Sequence, residues 1–210
     1  MSQSTSQQTN HVPADGASDV GRMMFLIRSA LAGARTSIPV VVQSVSTAGG
    51  VAPIGTVAVQ PLVSLLDGGG QTWPHGTVHN VPYLRIQGGA NAVILDPQVG
   101  DIGIAVVCDR DISSVKASKG VSAPASARKH DLSDMVYLGS IISSTPAQYL
   151  EFSSAGITLT SSVGVTINGN VQVNGAIVAT GNVTAGSIDL ETHHHTGVQT
   201  GTGNTGGPAG

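Results

Sequence analysis

Near one end of the chain three histidines stand in a row, His193, His194 and His195, within DLETHHHTGVQTGTGNTGGPAG. Imidazole nitrogen is a common metal ligand near neutral pH. In an extended segment, residues two apart share a face and the one between them points away. His193 and His195 are therefore the candidate metal ligands, and His194 stands outside the pair. Two imidazoles fall short of the four ligands that a structural zinc ion usually takes. Three copies of the pair on a threefold axis supply six nitrogens, and an octahedral array of that kind suits iron or nickel better than tetrahedral zinc. A non-haem iron oxygenase is the enzymatic alternative. It needs a carboxylate and open positions, and only Asp189 and Glu191 lie close in sequence. Without a metal, the three residues are a solvated histidine cluster or the remnant of an expression tag. The segment beyond His195 is dominated by Gly and Thr, side chains small enough to fold back into a narrow point.

A second polar group, Arg128, Lys129, His130, Asp131 and Asp134, can mimic a catalytic cluster. It belongs to SSVKASKGVSAPASARKHDLSD, a stretch that reads as a long loop, and the expected role is a salt-bridged chain reversal. No nucleophile stands beside a base, and among 12 acids no glycosidase-like carboxylate pair stands out, so no catalytic residue and no small-molecule substrate are expected. Cys108 is the one cysteine, which excludes an intrachain disulfide framework and a CxxC metal site; its expected role is a small buried hydrophobe in a strand.

The composition of the 210 residues restricts the partners further. A formal charge of -3 leaves no basic footprint for phosphates, so nucleic acid is not an expected partner. Charged residues are 10% and aromatics 3%, against about 25% charged residues in ordinary soluble domains. No apolar run reaches the roughly 18 residues of a membrane span, and MSQSTSQQTNHVPADGASD has neither the basic nor the apolar region of a secretory signal.

Four kinds of segment must position these residues. Residues 1–17 are polar and read as a flexible arm. In residues 18–34, Val20, Met23, Met24, Ile27 and Leu31 recur at helical steps, with Ser18 or Asp19 as cap and Gly33 at the far end. Residues 35–145 contain short Val- and Ile-rich runs, IPVVVQSVS, GTVAVQPLVSLL, VPYLRI, NAVILD, DIGIAVVCD and MVYLGSII, separated by turn residues. With no second helix pattern between them, these imply a small antiparallel barrel or sandwich. Residues 146–190 have no Lys or Arg. There Ile157, Leu159, Val163, Val165, Ile167, Val171, Val173, Ile177 and Val183 all keep odd parity, a period of two, and Asn-Gly or Gly-Asn pairs punctuate them. One copy of this ladder has too little bulk for a core and too many open edges. Three copies wound together bury the stripe on a common axis, so the expectation is an intertwined homotrimeric β-prism or β-helix. Residues 191–210 form its tip.

With these residues in view, the chain resembles the central membrane-piercing spikes at the tail tip of contractile, Mu-like phages. The resemblance rests on THHHTGVQTG and TGGP at the tip, GDIGIAVVCDRDI (residues 100–112) and ARKHDLSDMV (residues 127–136). It implies an all-β fold: an oligonucleotide/oligosaccharide-binding (OB) barrel as collar, preceded by the short helix and followed by a triple-stranded β-helix with a pointed metal-binding tip. It also implies one iron ion per trimer, held by His193 and His195 of each chain; His194 stands where the family's motif accepts any residue. Axial chloride or calcium is compatible with such a shaft, though no residue selects either. The implied partners are two further copies, the baseplate hub toward which the helix end looks, and, transiently, the host outer membrane. The implied location is the virion tail, after assembly in the host cytoplasm. A glycan-binding tail fibre is the alternative, and it lacks the aromatic side chains such binders display, since the repeat region offers only Tyr149 and Phe152.

Overall fold

The computed structural model describes residues 18–67, 70–195 and 201. The expected arm at 1–17 and nearly all of the tip beyond His195 lie outside the described residues. The chain divides into two compact units, residues 1–146 and 147–210.

The first unit opens with helix α1, Asp19–Ala32. Ser18 caps it, its hydroxyl oxygen accepting from the Gly21 amide at 3.0 Å, and Asp19 places an acid in the first turn where the helix dipole favours one. None of its residues is buried. Strands β1 (Ser37–Ser46), β2 (Thr56–Pro61), β5 (Val78–Pro82), β8 (Ile102–Val107) and β9 (Met135–Ile142) form one antiparallel sheet in the order β5-β2-β1-β8-β9. Two exposed hairpins stand apart from it, β3 (Leu65–Leu66) with β4 (Thr72–Trp73), and β6 (Ile86–Gly88) with β7 (Asn91–Val93). The expected run VPYLRI is therefore split: β5 ends at Pro82, which has no N–H to continue a ladder.

The all-β expectation holds, but the barrel is not closed. The outer strands β5 and β9 meet only at a parallel bridge, Tyr83 to Tyr137, where the Leu84 amide donates to the Tyr137 carbonyl at 2.8 Å. Because Pro82 ends β5 just before that bridge, the closing seam does not grow into a ladder. A further correction concerns the stretch after Ile112, read as loop throughout. Its first residues form the short helix α2, Ser113–Ser118, ended by Lys119 in the left-handed conformation at φ 55°.

The core alternates along β1, β8 and β9 as a half-buried sheet requires, whereas on β2 Val57, Ala58 and Val59 are buried in succession. Val40 and Val42 on β1, Val57 and Val59 on β2, Val81 on β5, Ala105 and Val107 on β8, and Met135 and Tyr137 on β9 are buried together with Tyr83. Small residues let the sheet curl tightly over them. At Gly103 the Tyr137 ring and the Gly139 carbonyl occupy the space a Cβ would need, so only glycine lets β8 and β9 approach there.

The second unit contains two hairpins. Strands β10 (Tyr149–Ser153) and β11 (Gly156–Thr160) pair antiparallel, as do β12 (Thr184–Ala185) and β13 (Ile188–Asp189). Between them, residues 161–183 form no strand within the chain, and their bends include Gly169, Asn174-Gly175 and Thr180-Gly181. The apolar stripe through this stretch is exposed from Val163 to Val183.

Candidate metal centre

The histidines follow the β12-β13 hairpin directly. Leu190 donates its amide to the Val183 carbonyl at 2.9 Å, the Glu191 amide donates to Asn182 Oδ1 at 3.2 Å, and the Thr184 hydroxyl donates to Asp189 Oδ1. A turn over Leu190–Thr192 then closes when the His193 amide donates to the Asp189 carbonyl at 3.0 Å. The three histidines thus leave a turn and are not in a strand. The backbone nonetheless brings the His193 and His195 rings together, edge to face, with centroids 5.2 Å apart. His194 is exposed and takes no part in that contact.

One nitrogen of His193 is already engaged. Nδ1 lies 3.0 Å from the Leu190 carbonyl oxygen and 3.2 Å from that of Asp189. A carbonyl only accepts, so in the neutral ring Nδ1 carries the hydrogen and Nε2 presents its lone pair. Metal-bound histidines are usually oriented through the opposite nitrogen in this way. Among the described residues, no group of three or more His, Cys, Asp or Glu comes together within one chain. The donor set fits a metal as one third of a shared site: His193 through Nε2, with His195 beside it. Asp189 faces Thr184 through its carboxylate and His193 through its carbonyl, so it supports the ligand rather than joining the pair.

The loop that resembles a catalytic cluster is a closed set of ion pairs. Arg128 reaches Asp134 through Nε and Nη2, both at 3.2 Å, and Asp111 through Nη2 at 2.9 Å, and both carboxylates are buried. Asp134 also accepts from the Ile112 amide at 3.1 Å. Hydrogen bonds from Ser113 and Ser126 hold the Asp111 carboxyl far below the usual carboxylate range, with Arg128 adding to the effect. The Ser133 side chain and amide hold Asp131 down in the same manner. His130, at φ 50°, turns away to Arg35, whose carbonyl oxygen lies 3.0 Å from its Nδ1. Lys129 is exposed and has no place in the set. The two buried carboxylates are thus each tied to Arg128 and to groups of the loop itself, the arrangement of a structural ion-pair set.

Sequence reasoning missed Asp111 and the partners Ser113 and Ser126. It also missed a second ion pair, the buried Arg85 with the half-buried Asp96 at 2.7 Å, where the Tyr83 hydroxyl donates to the same Asp96 oxygen at 2.8 Å. The available signal was an opposite charge at the end of each of two neighbouring apolar runs, VPYLRI and NAVILD. Beside Arg85 a cavity of about 670 Å³ is walled by Val51, Pro53, Ile54, Ala92 and Ile94, with Lys119 as its other charge. It contains two cations and neither a nucleophile nor a base. Cys108 departs from the expected buried strand position: it lies half-buried just after the end of β8, and burial pushes its thiol up, with Asp134 and Asp109 adding to the effect.

Two family models match the chain. That of the phage protein Gp138 N-terminal domain covers residues 38–139, the open sheet with its hairpins and charged loop. That of the GpV Apex motif covers residues 190–209, beginning at the turn that carries the histidines. Together the two matches are those of a phage central spike protein, with an N-terminal domain and a tip. No curated protein matches it. The spike is a structural protein of the phage tail, and its family implies a place in the virion tail and assembly with baseplate proteins. The apex match and the paired imidazoles together support a metal ion at the spike's tip.

Proposed function

We propose that three copies of this chain wind into one rigid spike that breaches the host outer membrane when the tail contracts, with one iron ion at the apex bound by His193 and His195 of each copy. The shaft is the triple-stranded β-helix of residues 146–190, and the collar of residues 35–145 docks on the baseplate hub. Assembly takes place in the host cytoplasm.

The observation that carries this reading is the apolar surface of the second unit. In the β10-β11 hairpin, Leu150 lies opposite Leu159 and Phe152 opposite Ile157, so four apolar side chains share one face while Tyr149, Glu151, Thr158 and Thr160 take the other. Phe152 is 72% exposed, and Val163, on the stripe just beyond the hairpin, 87%. An exposed apolar surface of this length is unfavourable in water, at roughly 25 cal/mol for each Å². Residues 161–183 have no strand partner in their own chain, and a partner chain gives their backbone groups hydrogen bonds as well as covering the stripe. A threefold axis does both and brings six imidazoles to one point.

The sheath supplies the work of contraction, so what the spike must have is stiffness and a narrow end. Low charge, β-structure paired between chains and a cross-linking ion at the apex suit that task. Sedimentation of the purified chain with elemental analysis tests the reading. A mass of three chains with one iron is the expected result, and a stably folded monomer rules it out.

A further inference from the structure

We infer that Asn182 is a positioning residue for the metal at the tip: through the peptide between Leu190 and Glu191 it fixes which nitrogen His193 presents. The inference rests on the metal-binding reading of the tip given above. It concerns a residue outside both matched segments, which cover residues 38–139 and 190–209. In sequence Asn182 is the second half of the Gly181-Asn182 pair and reads as turn punctuation.

A freely rotating imidazole offers either nitrogen, so a histidine ligand is oriented only as well as the acceptor that holds its other nitrogen. For His193 the acceptors are the Leu190 carbonyl, 3.0 Å from Nδ1, and the Asp189 carbonyl, 3.2 Å away. A carbonyl is no more fixed than its own peptide. Peptide units are planar, and none of those described is cis, so the C=O of one residue and the N–H of the next point in opposite directions. An anchor on the N–H edge therefore aims the C=O edge. Both peptides have such an anchor. The Leu190 N–H, in one plane with the Asp189 carbonyl, donates to the Val183 carbonyl at 2.9 Å. The Glu191 N–H, in one plane with the Leu190 carbonyl, donates to Asn182 Oδ1 at 3.2 Å.

The two anchors differ in what they require of the sequence. Val183 acts through its main chain, which any residue supplies. Asn182 acts through its side chain, and it anchors the peptide that carries the nearer of the two carbonyls. Because Asn182 is exposed, water can take over as acceptor at little cost to the fold. Water is not tied to the β12-β13 hairpin, however, and leaves the peptide free to turn. Losing the Asn182 oxygen should therefore be felt in metal binding and not in assembly.

The test measures how tightly the full chain holds iron(II), by competition with a chelator, alongside sedimentation. About 1 M salt screens charges more than about 3 Å apart, so a charge added by substitution has little effect of its own. Asn182→Ala should sediment as a trimer and hold iron about 10- to 100-fold less tightly, the usual cost of losing a partner that orients a ligand. Asn182→Asp keeps an acceptor oxygen in the same place and should bind iron as the unaltered chain does. Asn174→Ala, in another Asn-Gly turn of the same unit, should also bind normally. Unchanged affinity in Asn182→Ala, an equal loss in Asn182→Asp or Asn174→Ala, or failure of Asn182→Ala to form trimers overturns the role of Asn182 and leaves the metal reading of the tip intact. An unaltered chain that binds no iron overturns the metal reading and this inference together.

Discussion

His193 and His195 show how little separates a ligand from a bystander. The hydrogen bonds from Nδ1 to the Asp189 and Leu190 carbonyls fix the His193 ring with Nε2 free, and His195 lies edge-on beside it. Replacing either residue with alanine removes three of the six nitrogens in the proposed site. Elemental analysis should then find bound iron lost in His193→Ala and His195→Ala and near one per trimer in His194→Ala. Equal iron in all three, or loss in His194→Ala alone, refutes the assignment. The candidate pair was legible from the alternation of side chains along a strand, yet the structure reaches the same juxtaposition by a turn. What sequence spacing conveyed was proximity; the hydrogen bonding that orients His193 depends on carbonyls three and four residues back, which no pattern of side chains reveals. Gly103 is another residue whose role is set from outside, by the Tyr137 ring on the neighbouring strand. Gly103→Ala should overpack that contact and lower the stability of the collar by about 1–3 kcal/mol. A smaller side chain at Tyr137 should recover part of the loss in a double-mutant cycle read by denaturant unfolding.

At the scale of elements, the charged loop governs how the collar responds to acid. The Asp111 and Asp131 carboxyls are held below their ordinary range by serine hydrogen bonds, with Arg128 assisting. A carboxyl depressed in the folded state contributes stability that is fully present above its unfolded value, about 3.9. That contribution is lost as pH falls through the folded value. The collar's unfolding midpoint should therefore be flat from neutrality to about pH 5 and fall below about pH 4. In Asp111→Asn the acid-dependent part of that fall should shrink, as thermal unfolding across pH would show. Sequence reasoning named Arg128, Lys129, His130, Asp131 and Asp134 because they lie together in the chain; the salt bridge it expected forms between Arg128 and Asp134, whereas Asp131 bonds Ser133, His130 contacts Arg35 and Lys129 stands apart. Asp111 escaped it because it arrives from the far end of β8, across a separation that only tertiary packing closes. The strands were legible because the Val-rich runs alternate, and the open edge of the barrel was not, because it depends on where Pro82 stops a ladder.

For the whole molecule, the division after residue 146 sets two kinds of stability side by side. The first unit has a core within its own chain, built from Val40, Val59, Met135, Tyr137 and their neighbours. The second has none, since its large apolar residues from Leu150 to Leu190 are exposed in the single chain. Its order must come from other copies if it forms the proposed shaft, and its stability then depends on protein concentration as that of an obligate oligomer does. Strand β9 belongs to the first unit's sheet, with Met135 and Tyr137 buried, so a fragment meant to isolate the shaft must begin after it. Residues 147–210 alone should sediment as a trimer, give a β-type circular dichroism spectrum and resist protease. Val173→Asp in that fragment places three carboxylates on the axis, and it should abolish the trimer outright, while Thr158→Asp, on the polar face of the β10-β11 hairpin, should leave it assembled. A disordered monomer from the unmodified fragment would mean that the stripe is covered by something other than its own copies.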